Sequence, residues 1–493
     1  MSSILTNTSA MVALQTLKGI NTSLSKTQNE ISTGKTVATA KDNASIWAIS
    51  KVMESDVKGF KAISESLSLG QSTVAVARNA SETVTELLTE IKGKVVAAQE
   101  DNVDRGKIQT DISALRDQIN SIVGAAQFNG LNLLQGTEDV NVLSSLDRTS
   151  NGTVTASNIT VERQDLTTSA GTYGSGTSLS ANATASAAAV VNTANSETLT
   201  IAADADVSGD SFSVTVGGST VSFNAGDITG DQDAAALAIN NAINALGLEG
   251  VSASVSTNVV TISSSRAFEE VSLAALTNGA GAGVTLSATD IAERAENIAF
   301  SSSANVNDGD GYQVTVGSDT FTYVAGPGEN MEDVARGLKA AVDAGNLADI
   351  TTQVAQDSGG QWQLKVDNDG ASLAFSVVGA AGGEASGGLF GLSGIDVTTN
   401  SGADAALGNI ETLIQTSIDA SASFGSDQGR IDTQSDFVSK LMDSLKAGIG
   451  SLVDTDMEEA SARLQALQVQ QQLGIQSLSI ANQAPQSLLS LFR

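Results

Sequence analysis

Apolar residues recur at a helical period near both ends of the chain. In the N-terminal region, Leu17, Leu24 and Ile31 are seven residues apart, and Ile20 lies between them. Near the C-terminus, steps of three and four residues alternate through Met457, Ala460, Leu464, Leu467, Gln471, Gly474, Leu478 and Ala481. This spacing is a heptad a/d seam, a narrow stripe that one helix buries only against a partner helix. Because similar seams lie at both ends, the pattern predicts that the chain returns and that its ends pair.

The same period predicts long helices beside these seams. Apolar residues at helical spacing run from Ser45 to Ala98 without proline, and a break at Asp101 to Gly106 precedes a second amphipathic stretch. Gly34 interrupts the first helical pattern and predicts its end. The Asn129-Gly130 pair predicts a tight turn. Two more long helices are predicted on the return side, over residues 410–452 and 456–491.

The middle of the chain changes to short alternating strands separated by Gly, Asn and Asp turns. Residues 212–223 match residues 312–323 at an offset of 100 residues, and both segments read as β-hairpins. A short helical pattern and further alternating strands follow each hairpin. The simplest interpretation is two homologous α+β modules in tandem, at roughly residues 195–292 and 293–399.

Composition excludes several kinds of chemistry. The chain has no Cys and no His. Disulfides, thiolate nucleophiles, His-ligated metals and imidazole bases are therefore excluded. Only 3% of residues are aromatic and two are Pro, whereas Gly numbers 47. This balance favours packing of small residues over many contacts, as in polymeric assemblies.

Charge is concentrated in the middle of the chain. The net charge is −30, and residues 151–400 hold 28 acidic and six basic residues, a balance of −22. An acidic middle argues against binding nucleic acid, which needs a cationic surface. No stretch approaches the roughly 18 apolar residues of a membrane span, and the N-terminus lacks the pattern of a cleaved signal peptide. We therefore expect neither nucleic-acid binding nor membrane insertion.

The middle also holds the only candidates for acid–base catalysis. Asp308, Asp310 and Asp319 lie near one hairpin, and Glu269 and Glu270 form a pair. Ordinary acidic loops explain them more simply, since no cleft is indicated. Residues 307–311 lack the later ligands of a calcium loop, and the glycine runs lack the Lys of a phosphate loop. The sequence predicts no enzyme activity, no cofactor and no metal.

Short motifs at both ends resemble a known family. Ile-Ser-Thr-Gly-Lys at 31–35, Ala-Lys-Asp-Asn-Ala at 40–44 and Gln-Phe-Asn-Gly at 127–130 resemble the N-terminal pattern of bacterial flagellins. Residues 473–484 and the ending Leu-Leu-Ser-Leu-Phe-Arg at 488–493 resemble the flagellin C-terminus. The resemblance covers about residues 1–165 and 405–493. The two repeats also resemble, more loosely, a module inserted in flagellins and hook-associated proteins.

The resemblance implies a multidomain filament subunit. All-α, coiled-coil or helical-bundle inner regions would be formed by both chain ends, with two tandem α+β outer modules between them. Mapped onto this sequence, the inner layer is 1–43 and 451–493, and the helical shell is 44–165 and 405–450. The outer modules are 166–292 and 293–404. The expected polymerisation seam consists of Leu17, Ile20, Leu24, Ile31, Met457, Leu464, Leu467, Leu478 and Leu488.

The same resemblance implies partners and a location. The chain would leave the cell through the flagellar type III export apparatus with a chaperone, and would polymerise with itself in the extracellular filament. A cap protein and hook-junction proteins would be further partners. Two alternatives stay open at this point. A hook–filament junction protein shares similar ends but forms short rings, and a surface adhesin or glycan-binding protein would use the tandem modules to bind.

One segment departs from the flagellin pattern. Many flagellins carry an Arg-rich stretch that vertebrate innate receptors recognise. The matching segment here, around Lys92, has Lys94 where Arg is expected and Val95 where Glu is expected. We predict weak activation of such a receptor, to be measured in a reporter assay beside a potent flagellin. Activation equal to that of the potent flagellin would contradict the prediction.

Overall fold

A computed structural model describes residues 7–100, 102–149, 153–278 and 283–491, without the side chains of residues 148, 278 and 484–491. No helix within these ranges is long and apolar enough to cross a membrane. The α-helices are α1 (Thr8–Thr33), α2 (Ala44–Ala97), α3 (Arg105–Ala125), α4 (Gln232–Ala245), α5 (Met331–Ala344), α6 (Asn400–Val453) and α7 (Met457–Leu491). Long helices at both ends thus flank a β-rich centre, which confirms the predicted multidomain architecture.

The strands lie between α3 and α6. They are β1 (Gln127–Phe128), β2 (Leu131–Asn132), β3 (Val140–Arg148), β4 (Val154–Val161), β5 (Ala183–Ala185), β6 (Ala189–Val190), β7 (Asn195–Ile201), β8 (Ser211–Val216), β9 (Ser219–Phe223), β10 (Val251–Ser256), β11 (Val259–Ser264), β12 (Val271–Asn278), β13 (Val284–Leu286), β14 (Asp290–Ile291), β15 (Glu296–Phe300), β16 (Gly311–Val316), β17 (Asp319–Val324), β18 (Ile350–Gln356), β19 (Trp362–Asn368) and β20 (Leu373–Ala380). Apart from the β3–β4 pair, every pairing between these strands is antiparallel. The predicted Asn129-Gly130 turn joins β1 to β2 with φ of 51° and 82°, a left-handed pair that suits a two-residue hairpin.

The chain divides into two compact units. The first consists of Met1–Ser72, Asn141–Val161 and Asp427–Arg493, and the second of Thr73–Val140 and Glu162–Ser426. Each unit is described by itself below.

In the first unit, the hairpin of β3 and β4 lies closely against α2. A Cβ on Gly70 would lie only 2.7 Å from Cγ1 of Val142, and one on Gly59 would lie 2.9 Å from Cδ1 of Leu146. Glycine inside a helix costs roughly 1 kcal/mol relative to alanine. Here the two glycines lie three helical turns apart on one face of α2. Because they have no side chains, the hairpin can approach the helix closely.

In the second unit, α2 and α6 each bury one continuous heptad stripe. Steps of three and four residues alternate along both helices. The buried positions of α2 are Val74, Ala77, Ser81, Val84, Leu88, Ile91 and Val95. Those of α6 are Ala403, Ala406, Ile410, Leu413, Ser417, Ala420 and Phe424. Both stripes contain buried serines, and the Ser417 hydroxyl donates to the carbonyl of Ser81 at 3.2 Å, so these small polar groups are satisfied by hydrogen bonds.

The two α+β modules share one plan, as the repeat predicted. In module 1 (195–291), the sheets β10-β11-β7-β13 and β14-β12-β8-β9 enclose a core with α4. In module 2, the sheets β18-β19-β15-β5 and β17-β16-β20-β6 enclose a core with α5. The two cores have no residue in common.

Module 1 is nested inside module 2 rather than simply preceding it. The short strands β5 and β6 (183–190) precede module 1 in the chain but pair with β15 and β20 of module 2. They occupy the places that β13 and β14 take in module 1. The sequence analysis had assigned residues 183–190 to the first module. The repeat alone could not predict this exchange. Each module needs two short edge strands, and the chain has one such pair before β7 (β5 and β6) and another before β15 (β13 and β14), so either pair could complete either module.

A buried arginine holds the junction of the two nested modules. Two short segments, residues 191–194 and 292–295, connect module 1 to module 2. Arg294 lies in the second of them, and its side chain is 9% exposed. Its Nε and Nη2 donate to the two carboxylate oxygens of Asp367 at 2.8 and 2.6 Å. Nη2 also donates to Asp369 at 2.6 Å, and Nη1 donates to Asn192 in the other connecting segment at 3.0 Å. One guanidinium therefore fixes both connections to the end of β19.

Replacing this arginine is expected to destabilise module 2. The variant Arg294→Met leaves Asp367, which is 2% exposed, without its cation, a loss of about 3 kcal/mol in the free energy of unfolding. Urea unfolding followed by Trp362 fluorescence in a Trp47→Phe background measures it. The double variant Arg294→Met/Asp367→Leu should recover much of the loss. The control Arg266→Met breaks an exposed pair with Glu269 and should cost less than about 1 kcal/mol; equal losses in the two single variants would contradict the assignment.

Candidate functional site

The two terminal helices pair antiparallel within the first unit. Asn7 caps α1 by accepting from the amide of Ala10 at 3.0 Å, and its side-chain amide donates to the carbonyl of Ala481 on α7 at 2.8 Å. Further along the pair, Gln471 Nε2 donates to Asn21 Oδ1 at 2.7 Å. Helices α1 and α7 therefore lie side by side, as the two seams predicted.

A short backbone ladder sets the register of this pair. α1 ends at Gly34, whose φ of 68° is the left-handed conformation typical of a helix C-terminus. The amide of Thr36 donates to the carbonyl of Val453 at 2.7 Å, and the amide of Thr455 donates to the carbonyl of Gly34 at 3.0 Å. The turn after α1 is thereby tied to the turn between α6 and α7. Apart from Gly34, no residue pattern in the sequence predicts this ladder.

The contact face between α1 and α7 follows the heptad spacing but is only half-buried. On α1, Leu17, Ile20, Leu24 and Ile31 are all partly exposed, and the fully buried residues are Thr27 and Glu30. On α7, the least exposed positions are Ala460, Leu464, Leu467, Gln471, Gly474, Leu478 and Ala481. Met457 is 45% exposed, and the side chain of Leu488 lies outside the described residues. That these residues form a polymerisation seam stays a prediction.

Gly474 lies in the centre of this face. A Cβ placed there would be 3.2 Å from Cδ1 of Leu17 and 3.7 Å from Cδ1 of Ile20. The glycine thus forms the hole into which these two side chains of α1 insert, in the manner of a coiled coil. A large residue at this position would push the helices apart.

A second set of apolar side chains on the same two helices remains largely exposed outside the seam positions. On α1 it contains Met11, Val12 and Leu14, which are 59–64% exposed. On α7 it contains Val469, Leu473, Ile475 and Ile480, which are 54–68% exposed. We call these seven residues the outer apolar set. Sequence analysis missed them because it followed only the a/d positions; the signal was the presence of large apolar residues at the remaining heptad positions.

The segment compared with receptor-binding flagellins lies in the second unit on α2. Lys92 Nζ contacts Glu411 Oε2 of α6 at 2.5 Å, and Lys94 Nζ contacts Asp111 Oδ2 of α3 at 2.7 Å. Val95 has no exposed surface and belongs to the buried stripe of α2. Both lysines are engaged by carboxylates and Val95 faces the interior. The receptor assay remains the test of this segment.

The acidic residues considered for catalysis are not gathered into a site. Asp310 is buried and accepts from the amide and side chain of Asn307, which makes it part of a turn. Glu269 pairs with Arg266 at the surface. Within the part of the chain that the structure describes, no group of three or more acidic side chains is arranged to hold a metal ion.

Family models match both ends of the chain. The bacterial flagellin N-terminal helical region matches residues 4–139, and the bacterial flagellin C-terminal helical region matches residues 407–492. Flagellin A of Rhizobium meliloti is 33% identical over 494 residues, covering 100% of both chains. A flagellin of Brucella melitensis biotype 1 is 44% identical over 167 residues, which is 34% of this chain and 59% of that protein.

Solved structures resemble the chain only distantly. A crystal structure of FlgL from Xanthomonas campestris has a TM-score of 0.30 at 14% identity, covering 81% of this chain and 99% of that chain. The flagellar hook-associated protein-3 of Legionella pneumophila has a TM-score of 0.33 at 9% identity, covering 82% and 98%.

The pairing of the ends can be tested by cross-linking in a chain that has no cysteine of its own. A Cβ on Gly474 would lie 4.0 Å from Cβ of Leu17, within the range that a disulfide requires. We expect Leu17→Cys/Gly474→Cys to form an intramolecular disulfide on mild oxidation, seen as faster migration in non-reducing electrophoresis. The control Gly19→Cys/Gly474→Cys should remain reduced, because a Cβ at Gly19 has no neighbour within 4 Å. Equal cross-linking of both pairs would contradict the register.

Proposed function

The chain belongs to the bacterial flagellin family and is a structural subunit of the flagellar filament, and we propose that the pair of α1 and α7 forms its polymerising surface. The observation that carries this proposal is the poor burial of the pair. Among the described side chains of α1 no apolar one is buried, and in α7 only Ala460 is. An apolar surface of this extent on a soluble chain marks an interaction site.

The outer apolar set supports contacts between copies. Val12 and Leu473 both border the groove between the two helices, beside Ala13 and Gly474. Side chains from a second copy that filled this groove would remove both from water, at about 25 cal/mol for each Å² of apolar surface. If a surface of one copy meets a different surface of the next and the rotation does not close, the result is a helical filament.

The weakness of the isolated pair suits assembly at a growing end. The seam between α1 and α7 is only half-buried and includes glycine, glutamine and threonine. The apolar surface that it buries therefore contributes little free energy to offset the conformational entropy lost when the two helices become ordered. Such a segment is stabilised chiefly by the neighbours it binds, and its folding is then coupled to assembly. We propose that α1 and α7 become fully ordered only in the filament.

We further propose the layering that the family resemblance implies. Residues 1–43 and 451–493 would form the inner layer, 44–165 and 405–450 the shell, and 166–404 the exposed modules. The acidic balance of −22 in residues 151–400 supports an exposed position for the modules, since like charges keep neighbouring surfaces apart in solution. The location would be the extracellular filament, reached by type III export with a chaperone. Hook-junction and cap proteins would be the partners at its two ends.

Assembly tests the polymerising surface directly. We expect Leu473→Glu to abolish growth of long filaments from short seeds, because a carboxylate would have to be buried between copies. Negative-stain electron microscopy measures filament length. Deletion of residues 451–493 should have the same effect.

The matched control is Leu276→Glu. Leu276 is 71% exposed on β12 of module 1, so this change adds the same charge at another exposed leucine. We expect filaments of normal length. If Leu473→Glu assembled as well as the unaltered chain, the proposed surface would be wrong. If the unaltered chain formed only short rings, a junction protein would be the better interpretation.

A further inference from the structure

A cavity of about 270 Å³ lies within the second unit, where the loop before α5 faces α6. Its walls come from separate stretches of chain: the loop and first turns of α5, residues 163–166, residues 385–390 and residues 409–419 of α6. Polar contacts continue this junction along α5. Arg336 Nη1 donates to Thr412 of α6 at 3.4 Å, and Lys339 Nζ donates to Asn409 of α6 at 2.9 Å. The cavity thus lies where module 2 meets a long helix.

The carboxyl group of Glu329 lies in this cavity. Tyr323, which is 6% exposed in the core of module 2, directs its hydroxyl to both carboxylate oxygens at 2.9 Å. Burial raises the pKa of Glu329 to about 7, although the bonds from Tyr323 and from the amide of Gly326 act in the opposite direction. The cost of removing the charged form from water therefore exceeds the gain from these two donors.

The charged groups around Glu329 do not neutralise it. Asp308 and Asp333 repel its charge and add to the rise in its pKa. The carboxylates of Asp165 and Asp419 also line the cavity. Neither cation of the cavity pairs with Glu329: Arg336 donates twice to Glu332, and Nη1 of Arg163 donates to the carbonyl of Gln135. Among the described residues, the structure gives Glu329 no ion pair.

We propose that Glu329 is a proton-operated latch, which holds the loop of residues 326–330 closed over Tyr323 while its carboxyl group is protonated and releases the loop when the proton is lost. An ionised carboxylate in this cavity has no cation to pair with, so it gains by moving to water. The loop of residues 326–330 can supply that movement, since Gly326, Pro327 and Gly328 have no side-chain group that could hydrogen-bond to the walls. Opening the loop would uncover the first turn of α5.

The direction of the pH dependence follows from the two protonation equilibria. The pKa of Glu329 is about 7 when the loop is closed and returns towards 4.5 when the carboxylate is in water. The closed form therefore binds more protons, and the ratio of closed to open forms is greatest at low pH. Between pH 4.5 and pH 7 the ratio of closed to open forms falls up to tenfold for each pH unit. From pH 5 to pH 8 the expected loss is on the order of a hundredfold, and the ratio levels off above neutrality.

Hydrogen exchange of the full-length chain measures this ratio. We would follow the protection factors of amides in residues 326–340 by mass spectrometry from pH 5 to pH 8, corrected for intrinsic exchange at each pH. The expected result for the unaltered chain is the hundredfold fall. In Glu329→Gln, which keeps the shape without this titration, the fall in the protection factors between pH 6 and pH 8 should be lost.

Two further variants separate the latch from a general loss of stability. Tyr323→Phe removes a hydrogen bond that lowers the pKa of Glu329, so the midpoint should move to higher pH. Asp319→Asn removes one exposed charge from the same module and should behave like the unaltered chain. The proposal is overturned if Glu329→Gln retains the pH dependence, or if Tyr323→Phe lowers protection equally at every pH without moving the midpoint.

Discussion

Burial of a narrow apolar stripe against a partner helix is the interaction on which the rest of this structure depends. Within the second unit, α2 and α6 repeat a three–four spacing that buries residues such as Leu88 and Phe424 completely. The same spacing on α1 and α7 leaves Leu17 and Leu467 partly exposed. What differs is the number of neighbours, since a stripe flanked by only one helix cannot exclude water from both sides. The spacing therefore specifies pairing, whereas the surroundings decide whether the pair is complete.

Polar contacts position the parts that these stripes do not reach. The two modules have separate cores, with no buried residue in common. Arg294 in the connecting segment is held to Asp367 by two parallel hydrogen bonds, which restrict angle as well as distance. At the return to α6, Gln109 of α3 clamps the backbone by donating to the carbonyl of Ile395 and accepting from the amide of Val397, both at 2.9 Å. Such contacts add modest stability but define geometry.

The sequence predicted the periodic parts of the fold and failed where periodicity carries no information. The helices, the hairpins around Gly217 and Gly317, and the pairing of the ends follow from local spacing and turn residues. The exchange of residues 183–190 into module 2 could not be predicted, because strand pairing depends on distant partners. The face of α1 and α7 was located from its heptads, but its incomplete burial required the fold. Glu329 gave no signal, since an acidic residue in a loop is ordinary until a cavity encloses it.

Small residues connect these two kinds of interaction. Gly59 and Gly70 on α2 and Gly474 on α7 each give up local helix stability so that another element can approach closely. At Gly59 and Gly70 the approaching hairpin belongs to the same chain, and the contact is complete when the unit folds. At Gly474 the contact with Leu17 is complete, yet Val12 and Leu473 beside it remain exposed. The packing rule is the same in both places, so what distinguishes the terminal helices is the apolar surface that their pairing leaves exposed.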